Sequence, residues 1–221
     1  MKKDFDFYEF AGIIVPGVVV IMGFVITISW GNQGQLKKFA ELSAGSLGLG
    51  IILAYAAGHL VQSVGNLIEN IWWWIEGGRP TDWVRSGKHK IVSAQQHALL
   101  QDRVRQIIDD NSFNLDSSVG KNQWHAITRQ LYAAVEAANK AKRVDVFNGN
   151  YGLCRGIATS LLTILCFLSI IDWGEWKVML ILAALFFIAI YRMRRFGIHY
   201  GRELFVQCLQ TMAASEKKEA E

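Results

Sequence analysis

Two histidines and two carboxylates stand where side-chain chemistry could begin. His199 and Glu203 are four residues apart, and Arg195 precedes His199 by four more, so on a helix the three share a face. His59 and Glu69 flank the polar end of an earlier apolar stretch. Such a set could exchange protons or offer nitrogen and oxygen ligands to a divalent metal. The spacing matches no zinc-site pattern. No P-loop, dinucleotide fingerprint, HExxH or GxSxG occurs, and Cys154, Cys166 and Cys208 form no CxxC pair. The reading therefore assigns no catalytic residue, no metal and no cofactor, and expects a protein that is not an enzyme.

A second pattern concerns contact between helices. Gly50, Ala54 and Gly58 recur every four residues, and Gln62, Asn66 and Asn70 continue the series, with His59 and Glu69 beside it. Gly152, Gly156 and Ser160 repeat the spacing later. Small residues let helices approach closely, and polar ones bond across the gap. The same residues also suit a polar pore or ligand vestibule, whose candidate face is His59, Gln62, Asn66, Glu69, His199 and Glu203.

The elements that must position these residues are apolar helices. The chain has 221 residues, 52% of them hydrophobic, in blocks near both ends around a polar middle. Ala11 to Trp30 is uncharged and matches the ~20 residues that cross a bilayer. Asp4, Asp6 and Glu9 before it, and the lack of a small-residue cleavage site after it, argue against a signal peptide. Ser43 to Ile68 is a second span. The third covers Gly156 to Ile171 and the fourth Trp176 to Tyr191, with Arg155 and Lys177 snorkelling to the interfaces. The fold class is all-α and integral to the membrane: four transmembrane helices in two hairpins with a helical cytoplasmic insert. The divisions are 1–69 and 151–195 for the hairpins, 70–150 for the insert, and 196–221 for a cytoplasmic C-terminal helix and tail.

Within the insert, Ser93 and Gln96 form a capping-box pattern before the stripe Leu100, Val104, Ile107 and Ile108. A second helix is expected over 122–145, with Trp124, Ile127, Leu131, Val135 and Ala138 at helical spacing. Asn148 to Gly152 reads as a turn or a hinge. Leu204 to Met212 is apolar enough for a partner or a neighbouring subunit, and the residues after Ser215 form a solvated tail.

The net charge is +4. Beside apolar spans this reflects the cytoplasmic bias of Lys and Arg rather than nucleic-acid binding. Lys2 and Lys3, the basic middle, and Arg192, Arg194 and Arg195 put both termini and the insert in the cytoplasm; the loop bearing Lys37 and Lys38 goes against this. The three arginines also suit lipid headgroups.

Three motif sets carry a resemblance. They are Phe5-Asp6-Phe7-Tyr8 leading to Val15-Pro16-Gly17, Gly58-His59-Leu60-Val61-Gln62 with Gly65-Asn66, and Arg195-Phe196-Gly197-Ile198-His199-Tyr200. The chain resembles a group of small bacterial four-span inner-membrane proteins. Its plan is similar to antiphage defence components such as the membrane subunit of Kiwa. The resemblance implies a homo-oligomer, by analogy a tetramer, in the bacterial inner membrane. It would be a sensor, effector or scaffold with a cytoplasmic protein partner and the lipid bilayer as its surroundings. A membrane-embedded enzyme acting on lipid or nucleotide at the cytoplasmic face, or a small channel, is the alternative.

Overall fold

The computed structural model describes residues 10–29, 44–86 and 91–219. The Phe5–Tyr8 motif, Lys2, Lys3, Trp30 and the loop with Lys37 and Lys38 lie outside them. Every regular element among the described residues is helical. A π-helical turn, Phe10–Ile14, leads into α1 (Val15–Ser29). Then follow α2 (Ala44–Ile75), α3 (Pro80–Ser86), α4 (Ala94–Ile108), α5 (Lys121–Ala137), α6 (Lys142–Ile171) and α7 (Trp176–Glu219).

Four segments are long and apolar enough to cross a membrane: Phe10–Ser29, Gly48–Arg85, Lys142–Ile171 and Trp176–Thr211. At most 39% of the apolar stretch in any of them is buried within the chain. The rest faces outward, with Ile52, Leu60, Leu180, Ile181, Phe187 and Ile188 among the exposed residues. Water would penalise that surface heavily, whereas hydrocarbon would not. The chain is accordingly consistent with a multi-pass membrane protein.

The contacts divide the chain into two compact units. The first comprises residues up to Ile71 together with Gly149–Arg194; the second comprises Trp72–Asn148 and residues from Arg195 onward. Helices α2, α6 and α7 each supply residues to both.

In the first unit α1 meets α2 and α6 at closest approach through glycine. A β-carbon on Gly17 would collide with the Ala54 carbonyl, and one on Gly58 with the Ile13 carbonyl. One on Gly156 would collide with the Pro16 ring. Val20, Val61 and Ile164 are buried beside these contacts, and Phe24 packs on Phe167 at 4.5 Å.

The second unit has a core of side chains that water would otherwise reach. Trp124 is fully buried, stacks on Phe205 and donates its indole N–H to the Thr81 carbonyl at 2.9 Å. Leu100, Val104, Leu131, Val135, Val144 and Leu204 surround the same interior. Ser93 and Gln96 form the reciprocal cap of α4. Three helices end alike, with a left-handed residue whose own N–H and the next one turn back onto late carbonyls. Gly77 does this after α2, where Gly78 N–H reaches the Trp73 carbonyl at 2.7 Å. Asp109 follows α4, and Asn139 follows α5.

Five sequence expectations change here. The helix expected over 122–145 is two helices, because Asn139 at φ 57° closes α5 before α6 begins. Asn148 to Gly152 is not a turn but lies inside α6, at the boundary of the two units. The third and fourth spans are parts of far longer helices. Leu204, Phe205 and Cys208 are buried in their own unit and are not a free partner surface. The backbone of the expected C-terminal tail stays helical to Glu219.

Candidate functional site

The polar network of the first unit begins with a proline. Pro16 has no N–H, so the Gly12 carbonyl four residues earlier loses its helical donor. The Gln62 side-chain amide of α2 donates to that oxygen. The same nitrogen lies 3.4 Å from the Gly152 carbonyl of α6. One amide group thus ties three segments.

The other end of the Gln62 amide faces Arg155 on α6. Its oxygen accepts from Arg155 Nη2 at 2.7 Å and from Nε at 3.2 Å. The remaining Arg155 nitrogen, Nη1, donates to Glu69 on α2 and forms an ion pair with it. The Glu69 side chain is 8% exposed and that of Arg155 20%. Donors meet acceptors at both ends of Gln62, which fixes the orientation of its amide. Ser160 is fully buried and donates to the Pro16 carbonyl at 2.8 Å. Thr159 and Thr163 bond back to carbonyls of their own helix, so hydroxyls do not extend the network along α6.

Of the small residues singled out, Ala54, Gly58, Gly156 and Ser160 lie at the helix contacts. Gly152 contributes its carbonyl, and Gly50 is exposed with open space around it. Among the polar residues, Gln62 and Glu69 join Arg155. His59 and Asn66 point outward, with His59 edge-on to Tyr55 at 4.6 Å. Arg155 does not snorkel as expected: it turns inward to the carboxylate. Its position three residues after Gly152 and four before Thr159 could have signalled the seam face. Arg192 and Arg195 are exposed on α7, and Arg194 is half-buried.

The polar residues of the second unit make a separate set. His199 stacks on Phe147 at 5.4 Å. Glu203 receives Gln207 at 2.8 Å and faces Arg143 at 3.4 Å. Tyr132 donates to Asp145 at 2.7 Å. Burial, then the Asp145 carboxylate, push its phenol pKa up. In the loop before α5, Asp110 and Asp116 accept from Ser112 and Ser118, and those hydrogen bonds hold both carboxyls below the usual range.

Chemically, the Glu69 carboxylate is already engaged by the Arg155 guanidinium. Among the described residues no three His, Cys, Asp or Glu side chains are grouped to hold a metal ion. What the first unit builds is a charge clamp joining α2 to α6 and an amide strap joining both to the π-helical turn before α1. No protein-family model matches the chain, and no curated protein or solved structure shows significant similarity to it.

Proposed function

We propose that this chain is an oligomeric inner-membrane sensor or effector. Its spans form two hairpins, its helical insert lies in the cytoplasm and binds a protein partner or ligand, and the span bundle rearranges in response. The observation that carries this reading is the continuity of α2, α6 and α7, each of which contributes to both compact units without a break. Each of these helices is a covalent path along which a change in the insert would reach the spans. The clamp of Glu69, Gln62 and Arg155 stands on two of those helices, where it would resist or register such a change. Support for the orientation comes from Arg192, Arg194 and Arg195 directly after the last apolar stretch. The setting in antiphage defence is motivated by the resemblance to defence membrane subunits. An enzymatic reading draws no support from Glu69, since Arg155 already engages it.

The test is a membrane-potential dye in cells producing the full chain, before and after phage infection. Potential should fall after infection only where the chain is present. A potential that holds under every trigger removes the effector half of the proposal and leaves a sensor or scaffold.

A further inference from the structure

Helix α2 carries more polarity toward the outside than a lipid-facing helix tolerates. Successive residues turn about 100° around a helix, which sorts α2 into three faces roughly 120° apart. Ala54, Gly58, Val61, Gly65 and Glu69 make the inner face, against α1 and α6. Leu53, Leu60, Val64, Leu67 and Ile71 make an exposed apolar face suited to hydrocarbon. The third face is Tyr55, Ala56, His59, Ser63, Asn66 and Asn70, and every one of these is exposed. Ser63 bonds back to the His59 carbonyl at 2.9 Å, and His59 touches Tyr55. Among the described residues neither Asn66 nor Asn70 has a side-chain hydrogen bond.

Polar groups within a span face protein or water rather than acyl chains. We propose that this third face is where a second copy of the chain docks, α2 against α2. His, Ser and Asn each both donate and accept, so the stripe is complementary to itself, as a two-fold contact requires. Ala56 in the stripe lets the two helices come close. A foreign partner would need its own matching stripe, whereas a second copy supplies one by symmetry. The inference rests on the oligomeric membrane reading above and adds the surface to it.

Photo-crosslinking in native membranes tests the surface. A benzophenone amino acid at Ser63 or Asn66 should give a dimer-mass product. The same group at Leu60 or Leu67, on the apolar face, should give at least fivefold less. Equal yields from both faces overturn the proposal, as does an absence of product from Ser63 and Asn66. A second variant, Ser63→Leu with Asn66→Leu, alters only exposed positions and should preserve the protomer. In nanodiscs it should shift the subunit count by native mass spectrometry to smaller species; an unchanged count also counts against the proposal. Neither readout depends on membrane potential, so the surface and the effector role can fail separately.

Discussion

Removing Arg155 would leave the Glu69 carboxylate buried without its guanidinium. Stripping one partner from a buried ion pair costs about 3–5 kcal/mol, and the partial exposure of Arg155 favours the lower end. Arg155→Leu and Glu69→Leu should therefore each lower the thermal midpoint of the detergent-solubilised chain. The double variant should recover much of the loss, because no unpaired ion remains. A double variant no better than the worse single one would show that the two are not coupled. Glu69 and Gln62 were legible in the sequence as polar residues at the end of an apolar helix. Arg155 was not, because an arginine beside a span is equally compatible with snorkelling, and its partner lies 86 residues away. The consequence of Pro16 was hidden for a related reason: the sequence shows the missing N–H but not the side chain that replaces it.

At the level of elements, the link between α5 and the start of α6 is a phenol on a carboxylate. Tyr132 keeps its proton to higher pH in the folded chain than in the unfolded one. Its contribution is thus fully present below the ordinary tyrosine pKa of about 10 and is lost as pH rises through the folded value. Tyr132→Phe should cost about 1 kcal/mol at neutral pH and flatten the alkaline fall in stability. Thermal melts from pH 7 to 11 measure both, and an unchanged alkaline slope would contradict the assignment. The capping box of α4 and its inner stripe followed directly from residue types. The faces of α2 did not. Stepping by four residues overshoots a full turn by about 40°, so the series from Gly50 to Asn70 winds about 200° around the helix. That drift sets Gly50, Asn66 and Asn70 outside, while Ala54, Gly58 and Gln62 meet other helices. Asn139 was read as helix interior for want of any local sign that its backbone turns left-handed.

For the whole molecule, blocks of apolar residues made the four candidate spans and the helical class visible from composition alone. A helix after the fourth span was expected from the sequence, but the full lengths of α6 and α7 were not. Hydropathy ends where the lipid ends, and α7 has 44 residues, or about 66 Å at 1.5 Å each, against a hydrocarbon core of about 30 Å. The Asn and Gly run in α6 looked like a turn because helix propensity is weak evidence once neighbouring helices supply contacts.

The strap between Gly12 and Gln62 also sets a timetable for synthesis. The first segment leaves the ribosome with a backbone oxygen whose donor is encoded fifty residues downstream. The carboxylate at Glu69 waits still longer for Arg155. Nascent chains ending near residue 140 should then be cleared by membrane proteases faster than chains ending near residue 175, and pulse-chase decay of the two lengths would reveal it. Equal half-lives would mean that the segment bearing Arg155 is dispensable for surviving quality control.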